Sequence, residues 1–294
     1  MQLAHRSQLT ASTPLIDFDP AAGGNGRMLH RLLLIPIALL LHACASPSQL
    51  VDRIASKAEL SRSVVIGTGY RHVVYANAIA TTASETVFVY IEGDGRPWRG
   101  TRPAADPTTR KPVALQLLAE TRFPGIYVSR PCYQEMNDPG CTPSSWTDAR
   151  YSEAIVSSMA SAIGKASGGR KLVLVGYSGG GTLALLLAER LADVQGVITI
   201  GANLDTDAWT TKRNFLPLAG SINPAMSQQA HPWPEIHLQG QHDIIVPPST
   251  TERYFESYPR AQREQVDGFD HVCCWVEEWR RMIEEAVSRL AASG

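Results

Sequence analysis

The sequence lacks an excess of charge of either sign. Its 27 lysines and arginines nearly balance 28 aspartates and glutamates, which gives a formal net charge of -1 at pH 7. Without a basic field, nucleic acid is not an expected partner. Cysteine is also scarce, and the five cysteines show none of the paired Cys/His spacing typical of a metal site. We therefore predict neither a metal nor another cofactor.

Hydrophobic runs long enough to cross a bilayer are missing too. The apolar stretch at residues 32–41 is shorter than the about 20 apolar residues that a spanning helix needs. Because basic residues precede it, it is typical of the hydrophobic region of a signal peptide, which we predict over residues 28–43. Residues 1–27 do not fit such a signal, so we interpret them as an extension outside the fold, with translation starting at Met28.

The signal segment ends in Leu41-His42-Ala43-Cys44. This ending resembles a bacterial lipobox, although His42 replaces the small residue usual at that place. The resemblance implies a lipid anchor on Cys44, a tether over residues 44–60 and attachment to a membrane of the bacterial envelope. Ala45 after the cysteine favours the periplasmic side of the outer membrane. An ordinary secretory signal cleaved nearby is the alternative.

What the chain does contain is a Gly-x-Ser-x-Gly pattern at residues 176–180. The apolar run at 171–175 predicts a buried strand before it, and the apolar residues at 181–190 predict a buried helix after it. A serine between a strand and a helix in this pattern is the nucleophile elbow, a turn so tight that only small residues fit beside the strained serine. Ser178 is therefore the predicted nucleophile.

An acid and a histidine follow the serine in the order that this topology requires. Asp243 comes just after a late predicted strand, and His271 lies in another loop after a strand, before the C-terminal helix. Because the carboxyl ends of parallel strands meet at one edge of a sheet, the three side chains are predicted to converge there. Asp205, which follows the preceding strand, is the rival for the acid.

Apolar strands alternate with helical stretches along the rest of the chain. This order predicts a mostly parallel central sheet with helices on both faces. Residues 206–234, between two predicted strands, have little helical pattern. We therefore expect a small lid or irregular excursion there and no large cap domain.

On these residues the chain resembles the α/β-hydrolases, over roughly residues 60–290. It is similar, more narrowly, to bacterial lipoprotein-type α/β-hydrolases, which share the elbow Gly-Tyr-Ser-Gly-Gly-Gly, a segment like residues 201–205 followed by Trp209, and an ending like residues 271–275. The resemblance implies an α/β-hydrolase domain over residues 61–294.

Hydrolases of this fold need two backbone N–H groups to bind the oxyanion of the tetrahedral intermediate. The residue after the nucleophile, Gly179, is expected to supply one. The other is expected from the loop after the third strand, where the N–H of Asp94 is the first choice and that of Gly93 the second.

Apart from Cys44, an even set of four cysteines remains, which suggests disulfides in an exported chain. Cys132 and Cys141 bracket a short loop, and their pairing is the simplest choice. The neighbours Cys273 and Cys274 either pair with each other or reach the loop cysteines instead. The sequence leaves this connectivity open.

These features predict a serine hydrolase that cleaves a small-molecule ester or thioester through an acyl-enzyme, with His271 as the base and Asp243 orienting its ring. A serine peptidase of the same fold is one alternative. A non-catalytic envelope lipoprotein that uses the fold as a binding scaffold is the other, although a scaffold has no need of a strained serine, an acid and a base in this order. Neither the natural substrate nor the oligomeric state follows from the sequence.

Overall fold

The structure is a computed structural model and describes residues 45–81, 85–227 and 230–293. Its strands are β1 (Ser61–Ile66), β2 (Arg71–Ala76), β3 (Thr86–Ile91), β4 (Trp98–Arg99), β5 (Arg102–Pro103), β6 (Gly125–Val128), β7 (Lys171–Tyr177), β8 (Val194–Ile200), β9 (Glu235–Gly240) and β10 (Gln262–Val266). Its helices are α1 (Pro47–Lys57), α2 (Val113–Glu120), α3 (Glu153–Ser167), α4 (Gly179–Ala188), α5 (Thr206–Arg213), α6 (Glu252–Ser257) and α7 (Trp275–Ser293).

Eight of these strands form one sheet, in the order β1-β2-β6-β3-β7-β8-β9-β10. β2 is antiparallel to both of its neighbours, whereas all neighbouring pairs from β6 to β10 are parallel. Helices connect most of the parallel strands, because a parallel connection has to cross back over the sheet. The mostly parallel sheet predicted from the sequence is confirmed.

Helices cover both faces of the sheet, as predicted. Side chains of α3 and α4 pack into one core, and those of α1, α2 and α7 pack into the other. Along β3, Val87, Val89 and Ile91 belong to the first core, and Phe88 and Tyr90 belong to the second. This alternation arises because successive side chains of a strand point to opposite faces. A strand buried on both faces is apolar along its whole length, which is why β3 and β7 stand out in the sequence.

Helix α1 occupies most of the stretch predicted as a tether, and for these residues that prediction is wrong. A capping box starts the helix: Ser46 Oγ accepts the N–H of Gln49 at 3.1 Å, and Gln49 Oε1 accepts the N–H of Ser46 at 3.2 Å. Val51 and Ala55, one helical turn apart, are buried in the same core as α2 and α7. The compact domain therefore begins before β1.

The excursion at residues 206–234 contains one short helix, α5, and a single 3-10 turn at Pro224–Met226 in its described part. Two side chains tie α5 to the loop after β9: Trp209 Nε1 donates to the carbonyl of Ile245 at 2.8 Å, and Arg213 Nη1 donates to that of Ile244 at 2.7 Å. Within the described ranges there is no large cap domain, as expected.

Several sequence predictions fall on residues that the structure does not describe. The extension over residues 1–27, the signal peptide over 28–43 and the lipidation site Cys44 all lie outside the described ranges. Inside those ranges, no helix combines the length and the apolar character that crossing a bilayer requires.

Candidate active site

Ser178 occupies a sharp turn between β7 and α4. Its backbone angles are φ 54° and ψ -127°, a conformation that a residue with a side chain rarely adopts. Two hydrogen bonds hold the turn: the N–H of Ser178 donates to the carbonyl of Ile200 at 2.8 Å, and the N–H of Gly181 donates to the carbonyl of Ser178 at 2.9 Å. The elbow predicted from the sequence is present in the structure.

Glycines on both sides make this turn possible. A Cβ atom on Gly176 would lie 2.3 Å from the carbonyl oxygen of Gly180, and one on Gly180 would lie 2.1 Å from the carbonyl oxygen of Ile91. Both clashes would be with backbone, which cannot move aside. The strand, the elbow and the helix can therefore pack this closely only because these positions lack side chains.

Ser178, His271 and Asp243 form a continuous hydrogen-bonded chain. Ser178 Oγ lies 3.1 Å from His271 Nε2, and His271 Nδ1 lies 2.7 Å from Asp243 Oδ2. The second carboxylate oxygen of Asp243 accepts the N–H groups of Ile245 and Val246, both at 2.8 Å. His271 is 9% exposed and Asp243 is 3% exposed. The structure thus brings together the three side chains that the sequence singled out.

The loop that carries His271 is fixed on both sides. Tyr177, the last residue of β7, donates its hydroxyl proton to the carbonyl of His271 at 2.9 Å. Asp270, the residue before His271, accepts the N–H groups of Val272 and Cys273 with its Oδ1, both at 2.7 Å. The histidine ring is therefore presented to the serine from a backbone that other side chains hold in place.

The four remaining cysteines form two disulfides. One joins Cys132 to Cys141, with their Cα atoms 5.5 Å apart, and the other joins the neighbours Cys273 and Cys274 just before α7. The sequence left the pairing open, and in the structure each cysteine pairs with the one nearest to it in the sequence.

Asp205, the rival acid, is hydrogen-bonded to Arg253 and Asn223 and not to His271. Its carboxylate accepts two hydrogen bonds from Arg253, at 2.6 and 2.5 Å, and one from Asn223 at 2.9 Å. It also caps the first turn of α5 by accepting the N–H of Ala208 at 3.1 Å. Burial alone would raise the pKa of Asp205, but the hydrogen bonds from Arg253 and Asn223 outweigh burial and lower it. The carboxylate that meets His271 is that of Asp243.

The side chain of Asp94 lies at the centre of a buried polar cluster. Its carboxylate lies 2.6 Å from Arg130 Nη1, 2.7 Å from Arg150 Nη1 and 2.8 Å from the hydroxyl of Tyr151. Burial opposes the charged form, but Arg150 and Arg130 more than compensate and hold the pKa of Asp94 well below its usual range. Tyr133 donates its hydroxyl proton to the carbonyl of Asp94 at 2.8 Å. No local pattern in the sequence indicates that these side chains meet at Asp94.

The loop of Asp94 touches the first turn of α4. A Cβ atom on Gly179 would lie 2.1 Å from Asp94 Oδ1, so the two segments that carry the expected oxyanion donors are in direct contact. The N–H of Gly93 donates to Glu92 Oε1 at 3.2 Å. No acceptor for the N–H of Asp94 is found among the described residues. This difference favours Asp94 over Gly93, the same preference that the sequence indicated.

Glu92, directly after β3, is a buried acid for which the sequence predicts no role. It is 4% exposed, and its carboxylate accepts the N–H groups of Gly93 and of Ala114 at the start of α2. Burial raises the pKa of Glu92 to about 7, although these backbone donors act in the opposite direction. Its side chain fixes the start of the loop that leads to Asp94.

The disulfide between Cys132 and Cys141 closes a loop that contacts Asp94 through the hydroxyl of Tyr133. Cys132, Gln134 and Glu135 have positive φ angles of 67°, 53° and 59°, which are unfavourable for residues with side chains. Tyr133, within this run, is the residue whose hydroxyl reaches Asp94. A disulfide restricts the alternatives open to the unfolded chain, so it helps to keep such a loop in one conformation.

A cavity of about 320 Å³ lies over Ser178 and His271. Its wall also includes Gly93, Asp94 and Asn203. An apolar groove of about 600 Å³ adjoins this cavity and shares three residues with it, Pro97, Arg150 and Trp209. The rest of the groove is lined mainly by the excursion at residues 206–234. Among the described residues, no group of three or more His, Cys, Asp or Glu side chains is placed to hold a metal ion.

Comparisons with known proteins agree with this architecture. A model described as the alpha/beta hydrolase family matches residues 93–292. No curated protein matches the chain. Among solved structures, a bacterial membrane phospholipase A superposes with a TM-score of 0.57 at 16% identity, covering 84% of this chain and 92% of that one. An esterase of Pyrococcus furiosus superposes with a TM-score of 0.57 at 13% identity, covering 80% and 93%.

A puromycin hydrolase also superposes, with a TM-score of 0.54 at 16% identity. The match covers 80% of this chain but only 39% of that one. Identities this low show a shared fold.

Proposed function

Because the chain belongs to the alpha/beta hydrolase family, we propose that it is a serine hydrolase that cleaves carboxylic esters through an acyl-enzyme on Ser178. One observation carries the proposal: the hydroxyl of Ser178, on a strained turn, is hydrogen-bonded at 3.1 Å to an imidazole whose other nitrogen lies 2.7 Å from the carboxylate of Asp243. This is the arrangement that activates an alcohol as a nucleophile.

In the first half of the reaction, Ser178 Oγ attacks the ester carbonyl while His271 Nε2 takes its proton. Asp243 keeps the Nδ1 proton of the ring pointing towards itself and stabilises the imidazolium cation that forms. When the tetrahedral intermediate collapses, the leaving alcohol takes the proton from His271, and the acyl group stays on Ser178. In the second half, a water molecule attacks the acyl carbonyl while His271 takes its proton. When this second tetrahedral intermediate collapses, the bond to Ser178 breaks, Ser178 Oγ takes the proton from His271, and the acid is released.

The negative charge of each tetrahedral intermediate would be held by the N–H groups of Gly179 and Asp94. Gly179 is the first residue of α4, so the partial positive charge of a helix N-terminus adds to its N–H. The contact between Gly179 and the Asp94 loop keeps the two donors close together before a substrate arrives. Donors that need no rearrangement during the reaction stabilise a transition state most effectively.

The apolar groove beside the cavity is a suitable site for an apolar part of the ester. Its exposed side chains include Trp98, Phe215 and Leu216, which are 42%, 50% and 83% exposed. Apolar side chains open to water gain stability when an acyl chain covers them. We therefore propose that esters with an acyl chain of several carbons are better substrates than acetates.

A fluorophosphonate probe tests the serine directly. It should label the wild-type protein covalently and fail to label Ser178→Ala. Ser63→Ala is a matched control, because Ser63 is an exposed residue of β1, away from the elbow, and this variant should label like the wild type. A series of p-nitrophenyl esters from acetate to decanoate then measures the acyl preference through kcat/KM. A folded wild-type protein that neither reacts with the probe nor cleaves any ester of the series would refute the proposal.

A further inference from the structure

Asn203 lies in the loop after β8 and in the wall of the cavity that contains Ser178 and His271. Its backbone is held against α4, because Thr182 Oγ1 donates to the carbonyl of Asn203 at 2.6 Å. The preceding residue, Ala202, packs so closely on α4 that a Cβ atom on Gly181 would lie 2.3 Å from the Cβ atom of Ala202. The position of Asn203 beside the elbow is therefore fixed by packing.

The amide of Asn203 has no hydrogen-bond partner among the described residues, although Asn203 is only 2% exposed. Neither its Oδ1 nor its Nδ2 makes a hydrogen bond with the described residues. The buried amide of Asn77, in contrast, is paired at both ends: its Nδ2 donates to the carbonyl of Phe123 at 2.9 Å, and its Oδ1 accepts the N–H groups of Ala80 and Gly125. The buried amide of Gln134 is paired at Nε2 only. A buried polar group without a partner is rare and calls for an explanation.

We propose that Asn203 is a substrate-binding residue whose amide pairs with a hydroxyl or amide group on the acyl part of the ester, close to the scissile carbonyl. This inference rests on the proposed esterase function and adds a substrate class to it. An asparagine side chain offers a donor and an acceptor together. Hydroxyl and amide groups offer the same two functions, so one such group can satisfy both ends of the amide.

The location of Asn203 also sets where that group is in the substrate. The cavity of about 320 Å³ has Asn203, Ser178 and the oxyanion loop in its wall, so a group bound to Asn203 belongs to the part of the acyl chain next to the carbonyl. The apolar groove does not include Asn203. The expected substrate therefore combines a polar group near the carbonyl with an apolar group further away.

The test compares three p-nitrophenyl esters of similar length: butyrate, 3-hydroxybutyrate and N-acetylglycinate. The wild-type full chain should show a higher kcat/KM for at least one of the two polar esters than for butyrate. Whichever polar ester is preferred identifies the group as hydroxyl or amide. In Asn203→Leu, which has a similar size but no hydrogen-bonding atoms, the preference for the polar ester over butyrate should fall by about tenfold or more, as expected when a site loses its partner for a substrate OH or NH.

Two further variants make the result interpretable. Asn203→Asp keeps the size and the acceptor but lacks the donor, so it should also lower the preference, and it serves if the leucine variant does not fold. Gln195→Leu is the control, because Gln195 is an exposed residue near the start of β8 and outside the cavity, and it should keep the wild-type preference.

The two proposals fail in different ways. If the wild type does not react with fluorophosphonate, the esterase function is wrong. If it reacts and cleaves esters, but both Asn203 variants keep the wild-type ratio of kcat/KM between polar and apolar esters, the role of Asn203 is wrong. A wild type that prefers butyrate to both polar esters also overturns it.

Discussion

Arg130 forms an ion pair of 2.6 Å with Asp94, the residue whose N–H is expected to bind the oxyanion. The side chain of Arg130 is 1% exposed, and its guanidinium also donates to the carbonyl of Arg150 at 2.8 Å. The ion pair therefore joins the loops after β3 and β6 to the segment before α3. Its effect is to fix the backbone of Asp94 through the side chain of the same residue.

Replacing Asp94 with asparagine tests this role. The variant leaves Arg130 and Arg150 buried without their anionic partner, and breaking a buried ion pair in this way destabilises a protein by roughly 3–5 kcal/mol. We expect a loss of that order in urea unfolding, and a fall in kcat larger than the change in KM because the oxyanion loop is loosened. Stability and kcat both within experimental error of the wild type would contradict the role assigned to the side chain.

Asp243→Asn and Asp205→Asn distinguish the two candidate acids. Asparagine at 243 would favour the wrong tautomer of His271, which in serine hydrolases lowers kcat by about 10⁴. Asparagine at 205 weakens the contact with the half-exposed Arg253 and should affect mainly stability. Steady-state kinetics with p-nitrophenyl butyrate gives the comparison. If kcat falls further in the Asp205 variant than in the Asp243 variant, the assignment of the acid is wrong.

A histidine far from the serine predicts how stability depends on pH. His231 stacks between Tyr258 and Trp233, with ring centroids 4.2 and 5.1 Å away. Its Nδ1 is hydrogen-bonded to Glu235, and its Nε2 lies 3.6 Å from Glu189, beyond hydrogen-bond distance but close enough for an ion pair. Burial would lower the pKa of His231, but the two glutamates outweigh burial and raise it to about 9.

The pKa of His231 rises from 6.5 to about 9 on folding. The contribution of His231 to the free energy of unfolding is therefore complete below pH 6.5 and is lost as the pH rises to about 9. The loss is at most about 3.5 kcal/mol, since each pKa unit corresponds to about 1.4 kcal/mol. Melting temperatures between pH 6 and 10 should fall less steeply in His231→Gln than in the wild type. His242→Gln, which changes an exposed histidine, is the control and should keep the wild-type slope. Equal slopes in the wild type and the His231 variant would refute the prediction.

Lipid attachment at Cys44 stays a prediction of the sequence, and we propose it on the lipobox-like ending alone. More than one acyl chain is needed for stable anchoring, since each buried methylene contributes about 0.8 kcal/mol. Cys44→Ser should move the expressed protein from the membrane fraction to the soluble fraction, as measured by fractionation and immunoblotting. Cys141→Ser is a control for the loss of a cysteine and should stay with the membranes. If the Cys44 variant partitions as the wild type does, the anchor is refuted.

The sequence was sufficient for those parts of the site that depend on local patterns. Ser178 could be found because its elbow needs small residues at fixed places between an apolar strand and an apolar helix, and Asp243 and His271 because chain order and strand ends limit the choices. Inner strands such as β3 and β7 could be found because burial on both faces makes them apolar along almost their whole length.

Parts that depend on distant contacts could not be predicted. Arg130 and Arg150 are 36 and 56 residues away from Asp94, and nothing in their local sequence shows that they meet. The absence of a hydrogen-bond partner for the Asn203 amide among the described residues is seen only when the residues around it are known. Helix α1 is a different case: the capping pair Ser46 and Gln49 was present in the sequence, but a short apolar face gives a weak signal until the surface that it covers is known.

The loop closed by Cys132 and Cys141 offers a last test. Changing both cysteines to serine should lower the free energy of unfolding by roughly 2–4 kcal/mol, as is typical when a disulfide is removed. It should also lower kcat, because Tyr133 and its hydrogen bond to Asp94 lie within the loop. Urea unfolding and ester hydrolysis measure the two effects. A variant with reduced stability but wild-type kcat would show that the loop does not affect catalysis.

The same covalent link gives the protein a dependence on its chemical surroundings. In a reducing environment both thiols would be free, and the loop that brings Tyr133 to Asp94 would lose its covalent closure. Oxidation would close the loop and restrict Tyr133 to the conformation in which its hydroxyl reaches Asp94.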